Sequence, residues 1–166
     1  MQINELLGRN TNDESYQIHQ MEDTRYRFET VYSNRVYDVM FSTFDAEVVD
    51  VTFGLIADKE YNYYNYGLAP TNNIKETIKI FTTIVKICKQ FNVKHDPLVW
   101  VFSAKEPSRI KLYKRLAETL AKSFNLKMSI EQMYGDNMFV LSKKTEEANH
   151  VLQRFIRDNA GWEFDS

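Results

Sequence analysis

The sequence predicts an α+β domain: a mostly antiparallel sheet with helices packed on it, in the order β-β-β-α-β-α-β-β-α. Three observations predict it. Apolar residues alternate with period two between Arg25 and Leu55, and they recur at helical spacing in three later segments. One short run between two of those segments is apolar throughout.

The elements follow in order. Tyr26, Phe28, Thr30 and Tyr32 alternate with Arg27 and Glu29, and Ser33-Asn34 is turn-prone. Tyr37, Val39 and Phe41 alternate with Asp38; after a break at Thr43–Asp45, Val49, Val51, Phe53 and Leu55 alternate with Asp50 and Thr52. Three such runs with short connections read as a meander with one buried face. Gly67, Pro70 and Thr71-Asn72-Asn73 then supply turn and helix-start signals, and Asn73 with Glu76 resembles a capping box.

Ile74, Ile78, Phe81, Ile84, Val85, Cys88 and Phe91 make the stripe of a first helix. Leu98-Val99-Trp100-Val101-Phe102, apolar on both faces, reads as a central strand parallel to a neighbour. Pro107 suits the first turn of a second helix, with Tyr113, Leu116, Ala117, Leu120, Ala121 and Phe124 as its stripe. Met128–Ile130 and Met138–Leu141 make two short strands around Gly135-Asp136-Asn137. A last helix over about Thr145–Asn159 buries Ala148, Val151, Leu152, Phe155 and Ile156, and Gly161 is placed to end it.

Residues 1–24 are polar and without sustained periodicity, so they read as a flexible N-terminal arm; residues 25–166 form a single domain with the C-terminal helix included. At 166 residues and 43% apolar, the chain supports one core and needs no metal or disulfide to fold. No apolar run reaches the roughly 18 residues of a membrane helix, and no signal peptide opens the chain, so no membrane partner is expected. A net charge of −2 argues against bulk binding of nucleic acid. The single cysteine, Cys88, falls on a helix stripe and reads as an inert buried thiol in a reducing compartment. His19, His95 and His150 have no ligand-like spacing, which argues against a metal site. There is no Gly-rich phosphate loop and no Ser nucleophile elbow.

Two surface features stand out. Tyr61, Tyr63, Tyr64 and Tyr66 crowd into six residues, suited to stack bases or sugars, to form a protein contact of rigid aromatics, or to fold as a loop over the sheet edge. Lys105, Arg109, Lys111, Lys114 and Arg115 form a basic cluster at the start of the second helix. Arg109 is suited to clamp a phosphate or carboxylate, while the plainer reading is a solvated helix face.

The strand and helix order resembles the GNAT-type N-acyltransferase core from about Arg25 to Lys143. That resemblance implies an acyl-coenzyme A pyrophosphate held where the third strand meets the first helix, on a Gln/Arg-x-x-Gly-x-Gly/Ala pattern. Here the stretch is Tyr64-Asn65-Tyr66-Gly67-Leu68-Ala69, followed by Pro70. Gly67 and Ala69 fit the tail of the pattern, Tyr64 departs from its head, and Pro70 removes an N–H from the cradle. Leu112-Tyr113 fits the family's Leu-Tyr, which implies Tyr113 as general acid toward a departing thiolate; equally, Tyr113 starts an apolar stripe as a core residue would. Glu47 and Asp50 are the available strand carboxylates.

A second resemblance spans most of the chain. Small proteins of large tailed phages share a Met-x-Ile-x-Glu-Leu opening, here Met1-Gln2-Ile3-Asn4-Glu5-Leu6, and a Phe-Ser-Ala segment, here Phe102-Ser103-Ala104. They also share Arg-x-x-Leu-Tyr-x-Arg-Leu, here Arg109 to Leu116. Ile3-Asn4-Glu5 is similar to a prohead-protease site, which implies processing after Glu5. The resemblance implies a non-catalytic phage protein, virion-associated, in contact with a phage or host protein and located in the host cytoplasm and the virion. The alternatives are an acyltransferase using acetyl-coenzyme A and an early inhibitor of a host factor.

Overall fold

In a computed structural model of the chain, residues 15–31, 34–45, 47–58, 74–104, 107–133 and 135–160 are described. The described strands open with β1 (His19–Glu22), and the alternating runs become β2 (Arg25–Glu29), β3 (Arg35–Asp45) and β4 (Val48–Asp58). Then follow α1 (Ile74–His95), β5 (Val99–Ala104), α2 (Pro107–Phe124), β6 (Leu126–Met133), β7 (Asp136–Lys143) and α3 (Glu146–Ala160). The seven strands lie in the order β1-β2-β3-β4-β5-β7-β6. The class is α+β with a mostly antiparallel sheet. The β4–β5 pair is parallel, joining Val48–Asp50 to Val99–Val101.

One strand more than expected is present. β1 lies within residues 1–24, read from sequence as an arm; its four residues are all exposed, so no alternation announces it. It is held by antiparallel pairing to β2, with the register broken between Gln20 and Glu22. Among the described residues no helix is long and apolar enough to cross a membrane.

The chain divides into two units, the first formed by residues 1–40 and 53–94. Its core joins Tyr26, Phe28, Tyr37, Val39, Phe53 and Leu55 of the strands to Ile78, Phe81, Ile84, Ile87, Cys88 and Phe91 of α1, all buried. Tyr16, from the segment read as an arm, is buried here as well. It stacks on Phe28 at 5.9 Å between ring centroids, and Phe28 stacks on Tyr37 at 5.4 Å. The Tyr16 backbone N–H donates to Thr83 Oγ1 at 2.9 Å, and the Lys79 ammonium sits 4.6 Å above its ring. α1 is more deeply buried than a single stripe: Ile80, Thr82, Thr83 and Ile87 join the expected positions, while Ile74 at its start is 57% exposed.

The second unit comprises residues 41–52 and 95–166. Its centre is β5, where Val99, Trp100, Val101 and Phe102 are all buried, as a strand apolar on both faces requires. Trp100 stacks on Phe124 at 5.7 Å and meets Phe41 edge-on at 6.2 Å. Val48, Val99, Val101, Met133, Met138 and Val140 pack with Val151, Leu152 and Phe155 of α3. Left-handed, non-glycine residues end two of the helices: Asp96 (φ 44°) follows α1 and Asn125 (φ 54°) follows α2. Each side chain is also tied down, Asp96 to Lys143 Nζ at 2.7 Å and Asn125 to Lys144 Nζ at 2.8 Å. Thr145 caps α3, its Oγ1 accepting the Ala148 N–H at 3.1 Å. Gly161, the expected stop, lies outside the described residues.

Candidate functional site

The sequence candidates distribute unevenly. Ile3 and Glu5, the tract of Tyr61, Tyr63, Tyr64 and Tyr66, Gly67 and Ala69, and Lys105 all lie outside the described residues. Arg109 falls in the first turn of α2, and its side chain lies outside them too. What remains is the body of α2. Lys111 and Lys114 are exposed on its outer surface, and Lys114 comes within 4.0 Å of Glu118 one turn on. Arg115 is half-buried, and its Nη1 is fully covered without a hydrogen-bond partner.

Tyr113 points the other way. It is 3% exposed and lies on the same stripe as Leu116, Ala117 and Leu120, which are fully covered. The i, i+3, i+4 spacing that made it a helix-stripe residue in the sequence is what buries it.

The Glu47 carboxylate is engaged. Glu47 Oε2 accepts from Arg154 Nη2 of α3 at 3.1 Å, and the Glu47 carbonyl accepts the N–H groups of both Leu98 and Val99 at 3.0 Å. Glu47 thereby helps set the parallel register of β4 and β5. Asp50 pairs with Val101 in that register.

A charged cluster that the sequence reading passed over lies in the first unit, on β2 and β3. Asp38 is 1% exposed although it belongs to the polar half of an alternating strand. Its register partner Arg27 donates from Nε to Oδ1 at 2.7 Å and from Nη2 to Oδ2 at 3.1 Å, a bidentate fork. That bond holds the Arg27 guanidinium above its ordinary pKa, against the opposing effect of burial. Arg25 contributes a weaker contact to Asp38 at 3.9 Å and turns its Nη2 to Glu22 at 3.3 Å. The signal was available: arginines at two alternate positions of β2 and an aspartate on the next strand, all on one face. Elsewhere in this unit, Lys94 of α1 hydrogen-bonds Asp23, which raises the lysine pKa, and burial raises that of Tyr26.

Cys88 is buried, and burial pushes its thiol well up, so it is no nucleophile in the folded chain. Among the described residues no three His, Cys, Asp or Glu side chains gather as metal ligands.

Compared with known proteins, residues 12–156 match the model of a family of unknown function, DUF6934. No curated protein and no solved structure matches the chain.

Proposed function

We propose, for a chain that belongs to the DUF6934 family of unknown function, a non-catalytic role on a GNAT-like scaffold. On this reading the protein is encoded by a tailed phage, is virion-associated, and acts by contact with a phage or host protein. The strand order β1-β2-β3-β4-β5-β7-β6, with its parallel β4–β5 pair and α1 as the crossover, supports the GNAT-like label. The Met-x-Ile-x-Glu-Leu opening and the Arg109–Leu116 motif support the phage context.

One observation carries the non-catalytic reading: groups suited to proton transfer are committed to the fold. Tyr113 lies in the buried stripe of α2, and Glu47 is bound to Arg154. A general acid must reach the leaving group, and a general base must reach the attacking amine, within about 3 Å. The Tyr113 ring is spent on packing, and the Glu47 carboxylate is taken up by Arg154.

The second reading, an acyltransferase using acetyl-coenzyme A, draws on the same parallel pair, since that topology is the one such enzymes resemble. Two measurements decide. Mass spectrometry of purified phage particles is expected to find the protein, with or without its first five residues; its presence only in early-infected cells overturns the virion assignment. Thermal unfolding with millimolar acetyl-coenzyme A is expected to show no shift. A ligand at 100 times its Kd adds about 2.7 kcal/mol and moves the transition by several degrees, which overturns the non-catalytic reading.

A further inference from the structure

The sheet has two outer strands, and they are built differently. β1 is four residues long, exposed throughout, broken in register and led by His19-Gln20. Short, irregular, polar edges resist pairing with another chain. β6 is eight residues long and pairs with β7 without a break, from Leu126↔Lys143 to Met133↔Asp136. Its outer side has no neighbouring strand among the described residues, and Ile130 on it is 56% exposed.

The backbone decides which residues face outward. β6 and β7 are joined by two residues, and such a connection closes on a hydrogen-bonded pair, here Met133 and Asp136. Alternation then turns the amides of Glu131, Ser129 and Lys127 toward β7 and those of Met128, Ile130 and Gln132 outward. Another strand can therefore pair with β6 through its even-numbered residues.

We propose that this strand is β6 of a second copy of the chain, antiparallel about a two-fold axis at Ser129. In that register Met128 meets the partner's Ile130 through outward amides, and Lys127 stands opposite the partner's Glu131. Two-fold symmetry repeats both contacts, giving two apolar pairs on one face and two ion pairs on the other. Moving the axis to Met128 sets Lys127 against the partner's Ser129, and moving it to Ile130 sets Lys127 against the partner's Met133. The strand is self-complementary about Ser129, and that self-complementarity argues for a second copy over an unrelated strand. The dimer joins the two sheets edge to edge and covers Ile130.

Sedimentation of the full chain is expected to show a dimer. Lys127→Glu and Glu131→Lys each place two like-charged pairs across the axis and weaken the dimer roughly tenfold or more. The double reversal K127E/E131K restores opposite charges and recovers it. Ser129→Cys sits on the axis in a non-hydrogen-bonded pair, with Cα atoms about 4.5 Å apart, and forms an intermolecular disulfide on mild oxidation. Lys127→Cys, about 13 Å from its own mate, does not. Circular dichroism checks that each variant is folded, and buried Cys88 adds no background cross-link. A monomer at about 100 μM, single reversals that stay dimeric, failure of the double reversal, or equal cross-linking at positions 127 and 129 each overturn the proposal.

Discussion

Asp38 and Arg27 are directly opposed on β3 and β2, and both oxygens of the buried carboxylate accept from the one guanidinium. Arg27→Ala strands a nearly inaccessible charge. Breaking fully buried pairs costs about 3–5 kcal/mol; because the Arg27 side chain is 33% exposed, the expected cost falls below that range, about 2–3 kcal/mol. Arg25→Ala, which loses only a 3.9 Å contact and the exposed Glu22, costs well under half as much. Urea denaturation of the two variants gives the ratio, and equal losses refute it.

The Glu47–Arg154 pair makes the opposite case. Both side chains are more than a third exposed, so water screens the charge. Arg154→Ala is expected to cost no more than about 0.5 kcal/mol in denaturant titration.

Tyr113 tests the assignment of α2 directly. If the ring serves packing, Tyr113→Phe stays within about 1.5 kcal/mol of the parent chain. Tyr113→Ala opens a cavity worth about 3–5 kcal/mol, read by chemical denaturation. A Phe variant as damaged as the Ala variant moves the weight from ring to hydroxyl.

Cys88 gives the pH dependence. Burial raises the folded thiol above its ordinary 9.0, so the unfolded chain ionises first. The stability this thiol confers is intact below about pH 9 and is lost above it, at roughly 1.4 kcal/mol per pH unit. Comparing the parent chain with Cys88→Ala at pH 8 and pH 10 isolates this slope from the alkaline losses due to Tyr26 and Lys94. A thiol reagent at pH 8 should label the folded chain only as fast as it unfolds.

β2, β3 and β4 were legible because alternation and burial share one cause, a sheet with a face to hide; Phe28, Val39 and Phe53 all lie where period two puts them. β5 was legible for the complementary reason, since a run without polar residues has no face to give to water. Tyr16 was not legible. It is a lone aromatic in a polar stretch, and its burial depends on Phe28 and on Thr83, 67 residues away. Asp38 reads as solvated, being an aspartate on the polar half of a strand, yet it is buried and held by the arginine fork. Of the candidate site, Tyr113 could be placed by spacing alone. The sheet's outer strands could not, because which strand lies outermost is set by pairing between distant segments.

The parallel contact between Val48–Asp50 and Val99–Val101 has a consequence for the chain as it is made. β4 leaves the ribosome before α1 and β5, and its first residues wait for the whole of α1 to be synthesised before their mate arrives. β6 and β7, by contrast, can zip as soon as both have emerged. During that interval the nascent chain carries a half-finished sheet edge. A fragment starting at His95 would carry that edge for good, with β5, its most apolar strand, bare along one side and prone to join any strand it meets.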